Sequence, residues 1–233
     1  MNIISLGIPE LDRSLGGGIP YPSLVTIEGE HGSGKTVLAQ QIVHSMLDNA
    51  LKVYVITSEA TVKEYLQMMK SVKLDVYDYY TSGQLSIYPL HVQGGKWSKF
   101  LSSFFLKVAS SFLELKKERY DAAIIDSLSP FAIDAAPHTF LTFITRVKNI
   151  VSRGKSIIIT FHPAFLAEES ITALRAASDV YLVMKNSSVS GMDVKLLRIV
   201  KLWGASGERK SVITLEVHPS LGLRVMPLGG VKV

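Results

Sequence analysis

Residues Gly29 to Thr36 read Gly-Glu-His-Gly-Ser-Gly-Lys-Thr, a full match to the G-x-x-x-x-G-K-[ST] pattern of a phosphate-binding loop. The flanks agree with it. Ser23-Leu-Val-Thr-Ile-Glu28 precedes the loop as a short β-branched run, the pattern of a buried strand. Val37, Leu38, Ile42, Val43, Met46 and Leu47 follow at helical spacing through Asp48. In such a strand–loop–helix unit, glycines let backbone N–H groups turn inward around phosphates, and the helix N-terminus adds its positive dipole. The expected cradle is Gly29, Glu30, His31, Gly32, Ser33, Gly34, Lys35, Thr36 and Val37. Lys35 would reach the β- and γ-phosphates, and the Thr36 hydroxyl would hold Mg²⁺. The competing reading is a glycine-rich turn that binds nothing, and the flanking elements argue against it. The segment predicts a nucleoside triphosphate ligand.

A phosphate loop needs a metal-supporting carboxylate at the end of another core strand. Tyr120-Asp-Ala-Ala-Ile-Ile-Asp126 supplies one, an apolar strand ending in an acid, so Asp126 is the second expected Mg²⁺ residue. Val53-Tyr-Val-Ile-Thr-Ser-Glu59 brings Glu59 to the C-terminal end of the next strand, the edge where open α/β sheets bind ligands. Glu59 is the candidate water-activating base. The alternative is that Glu59 caps or charges the start of the following helix. Ile157-Ile-Ile-Thr-Phe-His162 similarly brings Thr160 and His162 to a strand end. There they either sense the γ-phosphate or serve as capping and structural groups.

The whole chain sets the bounds. Its 233 residues suit one α/β domain over 1–233, with 47% apolar and 19% charged residues, a globular balance. No apolar run approaches a spanning helix and no basic signal sequence opens the chain, which predicts a cytoplasmic protein. With no cysteine, disulfides, thiolate metal sites and cysteine nucleophiles are excluded. The net charge of +5 raises a nucleic-acid reading, but the cations are scattered apart from small clusters at Lys116–Arg119 and Arg209-Lys210. A solvated basic surface accounts for them.

Strands are expected near 23–28, 52–58, 85–90, 121–126, 155–161 and 179–184, and helices near 35–49, 61–72, 97–118, 138–153 and 168–177. This alternation predicts right-handed crossovers and a largely parallel sheet flanked by helices. Asp193–Leu202, Ser211–Val217 and Leu221–Met226 then read as an antiparallel addition at one edge. In the helix from Trp97 to Glu118, the row Trp97, Phe100, Leu101, Phe104, Phe105, Val108, Phe112 and Leu115 predicts the face packed on the sheet. A membrane-surface helix has a similar row, but the opposite side here is mostly serine with few cations. Tyr77, Tyr79 and Tyr80 read as an exposed turn, with base stacking the sharper alternative.

Ser5-Leu-Gly-Ile-Pro-Glu-Leu-Asp12, then Leu15-Gly-Gly-Gly-Ile-Pro20, then the phosphate loop, resembles the RecA/RadA/KaiC superfamily, and KaiC-like ATPases most closely. The Thr57-Ser-Glu-Ala60 turn, the ending Lys201-Leu-Trp-Gly-Ala-Ser-Gly207 and a single core of this size are similar to the FlaH (ArlH) group, the nucleotide-binding components of the archaeal swimming motor, the archaellum. The resemblance implies a RecA-type P-loop core, ATP and Mg²⁺ as ligands, Glu59 as the catalytic glutamate and Asp126 as the Walker B acid. It implies homo-oligomeric rings, hexameric in form, with nucleotide near subunit interfaces and with slow or absent hydrolysis. It also implies two partners, the motor ATPase FlaI and the membrane-anchored scaffold FlaX, so that membrane association runs through partners.

Two departures bear on turnover. KaiC-like domains usually carry two adjacent acids after the second strand, whereas Ala60 follows Glu59. They also tend to carry Lys-x-Arg-Gly late in the chain, both cations reaching the neighbouring subunit's γ-phosphate. Here Lys201-Leu202-Trp203-Gly204 keeps the lysine, a candidate catalytic residue, and replaces the arginine by tryptophan. An arginine finger supplies about 10³–10⁵ in turnover where it operates. Arg198, Arg209 or a partner are the possible substitutes.

Two other functions are weighed. A RadA-type recombinase needs cationic loops at the ligand edge, yet Ser127–Thr145 and Ser156–Leu174 contain no lysine or arginine. No nucleic-acid partner is therefore expected. A KaiC-like autophosphorylating ATPase stays open, because serines and threonines are plentiful.

Overall fold

The computed structural model describes residues 2–90, 99–189, 191–204, 211–218 and 221–226. These residues form eleven strands: β1 (Asn2–Ile4), β2 (Ile19–Tyr21), β3 (Leu24–Gly29), β4 (Val53–Thr57), β5 (Leu85–Pro89), β6 (Ala122–Asp126), β7 (Ser156–Phe161), β8 (Val180–Val189), β9 (Met192–Leu202), β10 (Val212–His218) and β11 (Gly222–Val225). The α-helices are α1 (Pro9–Ser14), α2 (Lys35–Asp48), α3 (Val62–Ser71), α4 (Tyr77–Thr81), α5 (Lys99–Lys116), α6 (Ser129–Ala132), α7 (Pro137–Ser152) and α8 (Glu168–Ala177).

Strands β3 to β11 make one nine-stranded sheet in the order β11-β10-β9-β8-β3-β7-β6-β4-β5. The pairs from β8 through β5 are parallel, and β9, β10 and β11 add antiparallel strands at one edge. Both faces of the parallel part are covered, which explains why its strands are continuous apolar runs. Val25, Ile27, Val53, Val55, Ile124, Ile158 and Leu182 point to the side carrying α2 and α3. Tyr54, Ile56, Ile125, Ile159 and Tyr181 point to the side carrying α5, α7 and α8. Among the described residues, no helix is long and apolar enough to cross a membrane.

The N-terminal lead-in has a structural role. Leu6, Leu11, Leu15 and Ile19 are fully buried against this core. Asp12 clamps the turn, accepting from Leu6 N and the Ser5 hydroxyl at 2.7 Å each, and Gln41 of α2 donates to the Leu6 carbonyl at 2.6 Å. Gly18 has φ +137, and a Cβ there would lie 2.1 Å from the Ile4 carbonyl oxygen where β1 pairs with β2. Only glycine allows this approach.

Helix α5 corrects the orientation expected from its aromatic row. Leu106, Ala109 and Leu113 are buried, with Ser102 and Ser110, whereas Phe100, Phe104, Val108 and Leu115 are exposed. Leu101, Phe105 and Phe112 are intermediate, and Phe105 and Phe112 pack at the margin of the core. Trp97 lies outside the described residues. The cause is that apolar residues cover more than one side of the helix. The side with small Ala109, Ser102 and Ser110 admits close packing against α6 and α7, which the phenylalanine row does not. The tyrosine segment is also a short helix, α4, rather than a turn, with the Tyr79 hydroxyl donating to Asp48 at 2.7 Å.

Candidate nucleotide-binding site

The sheet register gathers the site. Gly29 pairs with Met184, Thr57 with Asp126, and Ile27 with Thr160, so the ends of β3, β4, β6, β7 and the middle of β8 lie at one edge. The loop after β3 wraps into α2, whose N-cap is Gly34 at φ 88 with no side-chain cap. The first-turn amides of α2 thus lack a side-chain acceptor, the arrangement that suits an anion. Gly32 also has positive φ. A Cβ at Gly29 would meet the Ser33 hydroxyl oxygen at 2.4 Å and the Met184 carbonyl at 3.1 Å, so the cradle closes only around glycine.

Lys35 is 6% exposed, and its ammonium makes one long hydrogen bond, 3.4 Å to the Glu30 carbonyl within the loop. The Thr36 hydroxyl donates to Asp126 at 3.4 Å, and the Thr160 hydroxyl donates to the same carboxylate oxygen at 2.5 Å. Asp126 is buried, and that burial raises its carboxyl from 3.8 to about 6. The Glu59 charge contributes to that same rise, while the Thr160 hydrogen bond, Lys35 and Thr36 oppose it. A buried carboxylate in hydrogen-bond reach of the Thr36 and Thr160 hydroxyls, beside a loosely held lysine, fits Mg²⁺ with phosphates. The buried Ser33 hydroxyl, which has no hydrogen-bond partner, and the uncapped α2 turn fit the same ligand. Thr36 and Asp126 would hold the metal, and Lys35 with the loop amides would hold the phosphates.

Beside this cradle lies a cleft of about 290 Å³ lined by His31, Lys35, Glu59, Ser127, Pro130 and His162, among others. Glu59 thus faces the same space as Lys35. The capping role open to Glu59 is filled by Thr61, which makes a reciprocal capping box with Glu64 at the start of α3. His162 takes the capping role and also lines the cleft. Its Nδ1 accepts from Ala164 N at 3.1 Å, capping a short 3-10 turn, while its ring lies 4.5 Å from that of His31 at the cleft wall. Partial burial, then the neighbouring His31 and Lys35, lower the His162 pKa.

Some participants carried no local signal. Asn186 on β8 donates to the His31 carbonyl at 3.1 Å, and Lys195 on β9 donates to Asn186 at 2.7 Å, so the antiparallel edge braces the phosphate loop. Ser129 accepts from His162 N at 2.8 Å and joins Ser127 on the cleft wall. Residues more than a hundred positions apart meet here only through the strand order.

A family profile described as "ATPase: KaiC" matches residues 4–229. The archaeal flagellar ATP-binding protein FlaH of Sulfolobus acidocaldarius is 40% identical over 227 residues, covering 97% of each chain. The chain belongs to the FlaH group of KaiC-like ATPases. The crystal structure of the flagellar accessory protein FlaH from Methanocaldococcus jannaschii agrees with this FlaH-family fold at a TM-score of 0.85. It is 28% identical, covering 96% of this chain and 97% of that one. A KaiC-like protein from Pyrococcus horikoshii shares the fold at a TM-score of 0.74 and 20% identity.

In this FlaH-family protein, Lys201 is not brought to its own phosphate loop. It pairs with Tyr181 near the start of β8, the end of the sheet opposite Gly29, and donates to the Ala176 carbonyl at 3.0 Å. Trp203 is 66% exposed just beyond it. Arg198 lines a separate cleft with Arg175 and Glu28, and Arg209 lies outside the described residues. Among the described residues, Lys35 is the one lysine or arginine lining the cleft beside the cradle.

Proposed function

We propose that this protein is the ATP-binding regulatory and assembly component of an archaellum motor, acting as a nucleotide switch with slow or absent hydrolysis. Bound Mg·ATP stabilises a ring, hexameric in form, or a surface for the motor ATPase FlaI and the scaffold FlaX. The protein works from the cytoplasmic side of the membrane-associated motor. The observation that supports this reading is the gathering of Lys35, Thr36 and Asp126 at one sheet edge, beside a cleft that among the described residues has no second lysine or arginine in its lining. Lys35 and the loop amides bind and orient the phosphates, and the buried carboxylate of Asp126 holds the metal side. Glu59 orients water at the open side and takes its proton. Without a further cation, the charge that develops during phosphoryl transfer is under-compensated, which slows turnover while leaving binding intact. Lys201 contributes only across an interface with a second copy.

The test is a calorimetric ATP titration of the wild type and of Lys35→Ala, beside steady-state phosphate release at concentrations that permit assembly. The expected result is tight binding in the wild type, loss of binding in Lys35→Ala, and turnover below about 1 s⁻¹, the low end of ordinary enzyme rates. Retained affinity in Lys35→Ala would overturn the phosphate-loop assignment. Brisk turnover would overturn the switch.

A further inference from the structure

Helix α5 leaves an apolar row in solvent: Phe100 is 77% exposed, Phe104 50% and Val108 37%. They recur every four residues, so they share one side of the helix. The Phe100 and Phe104 rings stand nearly parallel, 6.5 Å apart. An exposed apolar row of this kind marks an interaction site.

Alongside this row, α5 and α7 enclose a cleft of about 250 Å³ that bears Lys107, Arg146 and His138, with the hydroxyls of Ser110, Ser111 and Thr142 and, among the described residues, no carboxylate. Arg146 is held across the cleft toward Ser111 at 3.1 Å. On α5, Lys107 lies three residues beyond Phe104, so the two are neighbours on the helix surface and the cationic cleft adjoins the apolar row there.

We propose that this face docks an amphipathic helix of a partner protein whose apolar row is flanked by aspartates or glutamates. The apolar row would lie on Phe100, Phe104 and Val108, and the acids would enter the cleft toward Lys107 and Arg146. Charge decides the occupant. Lys107 and Arg146 in the cleft call for an occupant that brings carboxylates. A bilayer surface is excluded by shape, because the cations line a concavity that side chains can enter. The inference extends the partner-binding reading above to a specific surface.

The test installs a photo-reactive benzoylphenylalanine in place of Phe104, with the same group in place of Met68 as the control, and maps the adducts formed in the native host. The proposal predicts adducts from position 104 on a helical segment of another protein that carries acids beside an apolar row. The paired changes Lys107→Glu and Arg146→Glu should lower that yield about ten-fold or more, the loss expected when charged contacts at such a face are reversed. The melting temperature of the charge-reversed protein should stay unchanged. Adducts on a second copy, on lipid, or on a segment without acids would overturn the proposal. So would a yield no higher than from position 68, or one indifferent to charge reversal. An ATP titration of the same charge-reversed protein is read separately. Unchanged affinity there isolates this face from the phosphate loop, and absent ATP binding in the wild type would sink the switch while leaving the adduct result to judge the face.

Discussion

Replacing Leu106 and Phe104 by alanine, one at a time, tests the orientation of α5 directly. Leu106 is fully buried between the sheet and the α6–α7 layer, whereas Phe104 is 50% exposed. Truncating a buried leucine costs about 2–5 kcal/mol, because the cavity collapses only in part. Taking about 3 kcal/mol, a domain of this size loses roughly 6–12 °C in melting temperature. Full burial of a phenylalanine stabilises by about 1.5–3 kcal/mol, so the half-exposed Phe104 contributes about 1 kcal/mol. Leu106→Ala should therefore be the more damaging change by about 2 kcal/mol, although it removes the smaller side chain. Guanidinium unfolding followed by far-ultraviolet circular dichroism reads both values. If the helix instead packed its phenylalanine row inward, Phe104→Ala would cost about 3–5 kcal/mol and the order would reverse. That reversal would refute both the packing described here and the docking face built on it.

Three further outcomes are expected. Glu59→Gln should slow residual phosphate release far more than it changes ATP affinity, and the opposite pattern in paired kinetic and calorimetric measurements would make Glu59 structural. Burial holds the Asp126 carboxyl at about 6 instead of 3.8, so the folded state favours the protonated form. That stability is fully present below about pH 4 and is lost as pH rises through 6, a swing of about 3 kcal/mol at 1.36 kcal/mol per unit. In metal-free protein Asp126→Asn should flatten this slope, and denaturation curves that stay parallel to the wild type across pH 4–7 would count against it. Gly18→Ala should destabilise by at least about 1–3 kcal/mol, the usual cost of overpacking, because its Cβ would lie 2.1 Å from the Ile4 carbonyl oxygen. A Gly18→Ala protein that melts with the wild type would show that the lead-in turn is not built as described.

Much of this protein was legible in one dimension because the decisive signals are local. A phosphate loop is continuous in sequence, since its glycines, lysine and threonine must follow one another to turn the backbone inward at a helix start. Strands buried on both faces are unbroken apolar runs, so β3, β4, β6, β7 and β8 fall close to where their composition puts them, as do the antiparallel strands after them. The Asp126 and Glu59 positions were readable for the same reason, each being an acid at the end of such a run.

Tertiary structure decided what depends on strand order and on competing faces. That Thr160 donates to Asp126 follows from β7 lying beside β6, and that Asn186 and Lys195 brace the loop at His31 follows from β8 lying beside β3, neither of which a local pattern encodes. The strand order also carries Lys201 to the far end of the sheet from its own phosphate loop. On α5, periodicity reports that two sides are apolar but cannot rank them. Close approach to α6 and α7 selects the side with small residues, and the phenylalanine row is left facing solvent.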